Sequence, residues 1–386
     1  MEGIPDSRRE KHAAQLSSLE VPMQSIPETT YQSVGVDTHT EELGLHLLTE
    51  QIKKTWPRKG AFGEVKLDIG AFANVLDIGG GKGLAISADG VGSKVLIAQM
   101  MDQYDTVGID CIAMNVNDII CVGAKPLSMV DYIAIEEADP RILSEIAKGL
   151  AAGAQQAGIS IPGGEIAQLA DVFAKGSGVA FDIAGMAVGT VALDKILVGK
   201  GMQAGDVVIG IASNGIHSNG VTMARKVLFS NGLDVRSTPR QLQGRSLGEE
   251  LLKPTHIYVR EAMELLEQGV PVKAFAHITS DGFLNLPRVA PARLGFELTD
   301  LLPEPAIFSL IREYGSVGDS QMFVVYNMGV GFCIVVSPEG ADQTLAIVQR
   351  HGKNAGIIGR VIEDEHQTVY LTQKRLKGND KVFQSY

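Results

Sequence analysis

Acidic residues, glycines and a lysine lie close together about a quarter of the way along the chain. Asp89 follows a short apolar run that predicts a buried strand, and Gly90, Gly92, Ser93 and Lys94 come soon after it. A carboxylate at a strand end can bind Mg²⁺, which prefers oxygen ligands and bridges phosphates. Glycines let backbone N–H groups approach a phosphate, and a lysine can neutralise its charge. The stretch therefore predicts a site for phosphate oxygens and a divalent cation; a solvated turn is the alternative.

Further polar residues lie inside an otherwise apolar helix predicted for residues 108–121. At 100° per residue, Asp110 and Asn117 share one face, and Asp118 lies beside it. Taken alone, this pattern is also typical of the solvated side of an amphipathic helix. Because Asp89 is only a short crossover away, we predict that Asn117 and Asp118 belong to the same site.

Two glycines and a glutamate, Gly163, Gly164 and Glu165, follow a short strand predicted for residues 159–161. From a strand end the Glu165 carboxylate can reach the same cation, although this pattern is weak by itself. Asp37 is a weaker candidate for the same role.

A polar loop joins a strand predicted for residues 206–213 to a helix predicted for 221–229. Such a loop forms an anion site from backbone N–H groups and the helix dipole. His217 in this loop can donate to a substrate oxygen or transfer a proton, with a structural role as the alternative. His256 and His277 are expected to be structural. The loop consists of His217, Ser218, Asn219 and Gly220.

Helices and strands alternate along the chain, which predicts a layered α/β or α+β fold. We expect a mobile extension at 1–28, a metal- and nucleotide-binding half at 29–197 and a second half at 198–386 that completes the site. The other elements predicted in the first half are a helix at 41–55, a strand at 130–135, a helix from an Asp139 cap to about Gly158, and a strand at 181–192. Those of the second half are a loop at 230–248, a helix at 254–267, a strand at 272–278, a helix at 305–313, a strand at 329–337, then a helix and two short strands.

Charge, hydropathy and cysteine content argue against several kinds of partner and location for this chain. The chain has 386 residues, a net charge of −11 and no dense Lys/Arg cluster, which argues against a nucleic-acid partner. No apolar run reaches the roughly 18 residues of a membrane span, and the first residues carry no secretory pattern. Three cysteines without CxxC spacing favour a reducing cytoplasm, and zinc motifs are missing.

With these motifs in this order, the chain resembles the phosphoribosylformylglycinamidine cyclo-ligase family, also called aminoimidazole ribonucleotide synthetases. The resemblance runs from Tyr31 to about Ile362. The matching motifs are Gly35–Asp37, Asp89–Lys94, Asp105–Asp110, Met114–Asp118, Gly163–Glu165, His217–Gly220, Pro254–Val259 and Asn327–Gly331.

This resemblance implies a two-domain fold and a homodimer whose N-terminal domains build a shared β-barrel. It implies ATP and Mg²⁺, with a phosphoribosyl amidine as the substrate. In the family's reaction, ATP activates the formyl amide oxygen of formylglycinamidine ribonucleotide. The amidine nitrogen then attacks, which closes the imidazole ring of aminoimidazole ribonucleotide and releases phosphate.

The resemblance also implies roles for the residues in the motifs. Asp89 and Asp118 would be metal ligands in the reaction centre, assisted by Glu165 and Asp37. His217 would be catalytic. Nucleotide-binding positions would be Gly90, Gly92, Ser93, Lys94, Asn117, Gly163 and Gly164; substrate-binding positions would be Ser218, Asn219 and Gly220.

Two departures from the family pattern bear on the substrate. Gln168 replaces a glutamate, and Asp281 lies where the family has glycine, so its charge would oppose an anion unless it points away. A paralogous kinase of the thiamine-phosphate kinase or selenophosphate synthetase type is therefore the alternative. A non-catalytic nucleotide-binding homologue is a third interpretation, which the retained Asp89 and Asp118 oppose.

Overall fold

Two β-sheets, each covered by helices, organise the part of the chain that the computed structural model describes, residues 38–173 and 179–386. Asp37 and the expected extension at 1–28 lie outside these described residues. The layered α/β expectation is confirmed. We use N-terminal half for the first sheet and its helices, and C-terminal half for the second.

The N-terminal half contains a five-stranded sheet with the strand order β1-β2-β5-β3-β4. Strand β5 pairs antiparallel with both β2 and β3, and β4 lies parallel to β3 at the edge. Its strands are β1 (Asn74–Asp77), β2 (Lys82–Gly90), β3 (Lys125–Ile135), β4 (Gly164–Gln168) and β5 (Phe181–Ala192). Its helices are α1 (Thr38–Ile52), α2 (Lys94–Met101), α3 (Val107–Cys121) and α4 (Pro140–Ala157).

One face of this sheet is buried beneath α3. Because successive side chains of a strand point to opposite faces of the sheet, residues buried beneath the helix alternate with outward-facing ones. Along β5 every odd-numbered residue is buried, whereas the even-numbered ones face outward. Helices α3 and α4 pack closely at Gly108, where a Cβ would lie 2.3 Å from the backbone nitrogen of Leu150. A side chain at position 108 would therefore push these helices apart.

The C-terminal half contains an eight-stranded sheet with the order β13-β12-β11-β8-β10-β6-β9-β7. Strand β9, which lies between β6 and the edge strand β7, is buried along its whole length. The strands are β6 (Val207–Ala212), β7 (Val272–His277), β8 (Leu294–Leu298), β9 (Val330–Val336), β10 (Ala355–Glu363), β11 (Val369–Leu371), β12 (Leu376–Asn379) and β13 (Val382–Ser385). The helices are α5 (Val221–Ser230), α6 (Leu247–Leu251), α7 (Val259–Glu267), α8 (Ala306–Gly315), α9 (Asp319–Val325) and α10 (Ala341–Arg350).

Local sequence patterns predicted several boundaries correctly. The Asp139 carboxylate accepts hydrogen bonds from the N–H groups of Arg141 and Ile142, and Gly158 ends the helix at φ 70°. Both features are typical of helix caps. The strand predicted at 181–192 is confirmed as β5.

Other predicted elements were wrong. The strand expected at 159–161 is only an isolated bridge at Ser160, since Pro162 has no N–H for a ladder, and the strand begins at Gly164 instead. The helix expected from 254 begins at Val259. A helix with a Ser246–Glu249 capping box begins inside the loop expected at 230–248. Strands β8, β12 and β13 and helix α9 were missed.

Among the helices of the described residues, none is long and apolar enough to cross a membrane.

Candidate active site

Asp89 lies at the second-last position of β2, with its backbone fixed by α3. The Asn115 side chain accepts a hydrogen bond from the Asp89 N–H at 3.0 Å and donates to the Asp89 carbonyl at 3.1 Å. The Asp89 carboxylate accepts from the Gly90 N–H at 2.7 Å. Because alternate residues of β2 are buried beneath the helices, Asp89 points toward α3 rather than toward the outer face.

Asp118 of α3 faces the same place, and its charge disfavours the ionised form of Asp89. The pKa of Asp89 is raised to about 6, first by burial and then by the nearby charge of Asp118. The Asp118 side chain is 17% exposed. The structure therefore brings these two predicted residues together, in a place where a cation would relieve their repulsion.

His277, expected to be structural, proves to contact Asp118. Its Nδ1 lies 3.0 Å from Oδ1 of Asp118, and the ring is fully buried at the end of β7. Because an ionised carboxylate only accepts, the His277 Nδ1 carries the hydrogen of this bond. The sequence pattern that could have indicated this residue is its position at a strand end, just before the polar loop that contains Asp281.

Lys94 does not lie where a phosphate contact requires it. Its ammonium is fully buried, pairs with Asp110 at 2.9 Å and donates to the Lys253 carbonyl at 2.6 Å. Burial lowers the pKa of Lys94, and the charge of Asp110 opposes that shift. The expected phosphate contact is thus corrected to a buried ion pair within the N-terminal half, and the bond from Lys94 to the Lys253 carbonyl joins the two halves.

Asn117 is also buried rather than open to a nucleotide. Its amide nitrogen donates to the His256 carbonyl at 2.9 Å, and its amide oxygen accepts from the Tyr258 N–H at 2.9 Å. Both partners belong to the C-terminal half, so this side chain holds the two halves together.

Glu165 points away from Asp89 in this structure. Asp89 and Asp131 both lie opposite Gly185, which places them on the same face of the sheet. Glu165 lies opposite the next residue along β3, so its exposed side chain is on the other face. The expectation that it reaches the same cation is therefore corrected.

The predicted nucleotide-binding glycines near Glu165 and Asp89 have no side chain that would block a ligand. Gly163 and Gly164 are exposed, and the Asp131 carboxylate lies against Gly164. Gly92 has a φ of 68°, which favours glycine, with open space where a Cβ would be. Backbone approach by a ligand is thus sterically possible beside Gly92.

His217 is buried in the C-terminal half with a left-handed backbone conformation, φ 64°. Its Nε2 accepts from the Asn214 N–H at 3.0 Å, so Nδ1 carries the hydrogen of the neutral ring. No protein group among the described residues accepts that hydrogen. Burial, followed by the charges of His256 and His277, lowers the pKa of His217 well below its usual value.

Ser218 and Gly220 of this loop pack against other residues of the C-terminal half. The Ser218 hydroxyl lies 3.3 Å from that of Thr255, and Gly220, at φ 80°, packs against Tyr326 where no Cβ would fit. Asn219 is half-buried. Ser93, after β2, lies 2.7 Å from the Thr222 hydroxyl in the first turn of α5, which places the two predicted loops side by side.

Aromatic rings connect the predicted histidine to the carboxylates. His217 lies 6.5 Å from Tyr258, Tyr258 stacks on Phe332 at 5.1 Å, and Phe332 lies 6.4 Å from His277. His277 in turn contacts Asp118. The loop of His217 and the carboxylates of the N-terminal half are therefore parts of one packed region.

Within residues 38–173 and 179–386, no three acidic, histidine or cysteine side chains converge to hold a metal by themselves. Mg²⁺ commonly uses only one or two carboxylates and takes its other ligands from water and phosphate. The Asp89–Asp118 pair, with its mutual repulsion, fits that arrangement.

Asp281 and Gln168, the two departures from the family pattern, lie at different places in the fold. Asp281 lines a surface cavity that also contains Arg288 and Lys381 and shares no residue with the carboxylate pair. Gln168 accepts a hydrogen bond from the Ala138 N–H at 3.3 Å, so it contacts the turn that precedes α4.

The sequence matches two family models. These are the AIR synthase related protein N-terminal domain over residues 70–191 and the C-terminal domain over residues 203–372.

Solved structures show a similar fold. A thiamine-monophosphate kinase from Stenotrophomonas maltophilia, 18% identical, covers 84% of this chain and 94% of its own, with a TM-score of 0.56. A chain of a HypE–HypF complex, 20% identical, covers 84% and 95%, also with a TM-score of 0.56.

Curated relatives are far more similar in sequence. One from Methanobrevibacter smithii is 42% identical over 341 residues, which are 88% of this chain and 96% of the relative. One from Pyrococcus furiosus is 47% identical over 324 residues, 83% of this chain and 92% of the relative. Both are named phosphoribosylformylglycinamidine cyclo-ligase, whereas the kinase likeness extends to the fold alone. The chain therefore belongs to the phosphoribosylformylglycinamidine cyclo-ligase family.

Proposed function

We propose that this chain catalyses the ATP-dependent cyclisation of formylglycinamidine ribonucleotide to aminoimidazole ribonucleotide, ADP and phosphate, as its family name indicates. The observation that carries the proposal is the contact of Asp118 with His277 beside Asp89. It joins the carboxylates of the N-terminal half to the half that holds His217.

Asp89 and Asp118 are the residues that would hold Mg²⁺ together with the phosphoryl end of ATP. The chemistry supplied by such a cation would be neutralisation of phosphate charge. Burial, followed by the charge of Asp118, raises the pKa of Asp89 to about 6, so a bound cation would favour the ionised form of this carboxylate. Asn115 keeps Asp89 in place through two hydrogen bonds to its backbone.

The formyl oxygen of the substrate is the phosphoryl acceptor. Its bond to the γ-phosphorus forms as the bond from that phosphorus to ADP breaks. The amidine nitrogen then attacks the activated carbon, and phosphate leaves with the former formyl oxygen. The neutral His217 ring has an unpaired Nδ1–H that can donate to an oxygen in this sequence.

The loop after His217 binds the phosphoribosyl part of the substrate. Ser218, Asn219 and Gly220 lead into the first turn of α5, where free N–H groups and the helix dipole favour a phosphate. The contact of Ser93 with Thr222 places this helix beginning next to the loop after β2. Nucleotide and substrate would then meet between the two halves.

We also propose a homodimer with a shared β-barrel. The outer face of the five-stranded sheet exposes large apolar side chains, and a second copy of the same face would cover them. The exposed apolar side chains on this outer face are Val130, Tyr132 and Met186.

The proposed location is the cytoplasm, and the free, buried cysteines agree with it. The domain boundary near residue 198 remains a prediction.

Product stoichiometry tests the function. Purified protein is incubated with formylglycinamidine ribonucleotide, ATP and Mg²⁺, and aminoimidazole ribonucleotide, ADP and free phosphate are counted. A cyclo-ligase forms all three in equal amounts and only with substrate present. A kinase would form ADP while keeping the phosphoryl group on the acceptor, without free phosphate, and that result would overturn the proposal.

A further inference from the structure

An extended segment between α6 and α7, Lys253–Tyr258, lies where the two halves meet; we call it the bridging segment. From the N-terminal half, Lys94 donates to the carbonyl of Lys253, and Asn117 bonds to the backbone of His256 and Tyr258. Residues of the carboxylate-bearing half therefore help to fix this segment, together with the Ala212 carbonyl of its own half, which lies 3.0 Å from the Tyr258 hydroxyl.

The opposite side of the bridging segment contacts the His217 loop. The Asn214 side chain donates to the carbonyl of Pro254 at 3.2 Å, and the His256 N–H points to Nε2 of His217 at 3.4 Å. Thr255 lies 3.3 Å from Ser218 between their hydroxyl oxygens. A segment that contacts the other half thus helps to hold the loop, alongside Asn327, which donates to the Gly215 carbonyl.

Thr255 takes part in both sets of contacts through one hydroxyl group. It is 2% exposed, and its oxygen lies 2.6 Å from the Asp110 carboxylate, which also accepts the Thr255 N–H at 2.7 Å. Asp110 is paired with the Lys94 ammonium and can only accept. The single hydroxyl hydrogen of Thr255 therefore points to Asp110.

This direction fixes the hydrogen of Ser218 as well. With its own hydrogen directed at Asp110, the Thr255 oxygen can only accept from Ser218. The Ser218 hydroxyl then donates to Thr255 and keeps only its lone pairs free.

We propose that Thr255 is a positioning residue that presents the Ser218 oxygen to the substrate as a hydrogen-bond acceptor. Ser218 would then recognise a donor on the substrate, an amidine N–H or a ribose hydroxyl, and not the phosphate. This inference rests on the proposed function, since it concerns the same substrate.

Binding of formylglycinamidine ribonucleotide without ATP, measured by calorimetry, tests the pairing. Thr255→Val weakens substrate binding about tenfold, the size of one lost hydrogen bond, and leaves ATP affinity unchanged. Thr255→Ser, which keeps the hydroxyl, restores substrate binding. Thr344→Val is the matched control, because that buried hydroxyl bonds only to Gly340 within α10 and its cap.

A double-mutant cycle separates this role from a merely structural one. If Thr255 acts through Ser218, Thr255→Val combined with Ser218→Ala binds no more weakly than Ser218→Ala alone. Effects that add, or a Thr255→Ser protein as impaired as Thr255→Val, would overturn the inference. A substrate lacking the ribose 2′-hydroxyl identifies the donor: it loses the sensitivity to Thr255→Val only if that hydroxyl bonds to Ser218.

Hydrogen exchange provides a measurement that needs no substrate. The amides of residues 214–220 exchange faster in Thr255→Val than in the wild type and stay unchanged in Thr344→Val. Equal exchange in all three proteins would contradict the positioning role. Failure of the proposed function would instead appear as a wild-type protein that makes no product, whatever the exchange result.

Discussion

Nδ1 of His277 lies 3.0 Å from Oδ1 of Asp118, although the two residues come from different halves of the chain. His277 is completely buried, and Asp118 is partly open to solvent. A histidine in this position orients the carboxylate and leaves its other oxygen available for a ligand. The orientation of the Asp118 carboxylate therefore depends on correct packing of the second sheet against the first.

Replacing His277 by leucine removes the hydrogen bond that orients Asp118. We expect a 10- to 100-fold loss of affinity for ATP with Mg²⁺, the usual effect of removing such an orienting partner. His277→Asn keeps an N–H near the Nδ1 position and should retain most of the affinity. Fluorescence titration with a nucleotide analogue measures it, and equal affinity in both variants would refute the orienting role.

Asp89 makes the stability of the protein depend on pH. Its pKa is about 6 in the folded protein, against 3.8 for the unperturbed group, because burial and Asp118 disfavour the charge. The folded protein thus holds this proton more tightly than the unfolded chain does. As the pH rises from about 4 to about 6, ionisation of Asp89 lowers the free energy of unfolding, by up to about 3 kcal/mol.

Asp89→Asn should therefore melt at a higher temperature than the wild type at pH 8 without divalent cations. Added Mg²⁺ should stabilise the wild type and have little effect on the variant. Asp182→Asn is the matched control, since that exposed carboxylate accepts the N–H of the next residue, as Asp89 does, but lies away from Asp118. A wild-type melting temperature unaffected by Mg²⁺ would contradict the metal assignment.

Lys94 is predicted to act on stability, not on ATP binding. Lys94→Met leaves Asp110 buried without its cation, which destabilises by roughly 3–5 kcal/mol. Adding Asp110→Asn removes the uncompensated charge and should recover part of that loss. Chemical denaturation measures both. A single variant with unchanged stability and a raised KM for ATP would instead favour a phosphate contact.

Residues with local roles could be predicted from the sequence, and those with distant partners could not. The Asp139 cap and the strict alternation of β5 depend on neighbours within a few residues. Lys94 and Asn117 bond to groups 159 and 139 residues away. From the sequence, Lys94 and Asn117 could equally well contact a bound nucleotide. Only the packing of the two halves shows that they bond to the protein instead.

Glu165 illustrates a different limit. A one-residue change in where a strand begins moves a side chain to the other face of the sheet. The sequence predicts a carboxylate near the edge strand, but the register of β4 against β3 decides its direction. That register depends on pairing with β3, which lies about 30 residues earlier in the chain.

The outer face of the five-stranded sheet should control the association of two copies. Met186→Asp introduces a charge into that apolar face and is expected to shift the protein from dimer to monomer in sedimentation experiments. Met100→Asp on α2 is the matched control, because both methionines are 43% exposed. If both variants remain dimeric, the proposed interface is wrong.

The most direct test of the account follows the formyl oxygen. Substrate carrying ¹⁸O in its formyl group is turned over once by the wild type and by Asp89→Asn, and the released phosphate is analysed by mass spectrometry. We predict one labelled oxygen in phosphate for each aminoimidazole ribonucleotide formed by the wild type, with no product from the variant. Product formation with unlabelled phosphate, or undiminished product from Asp89→Asn, would contradict the account.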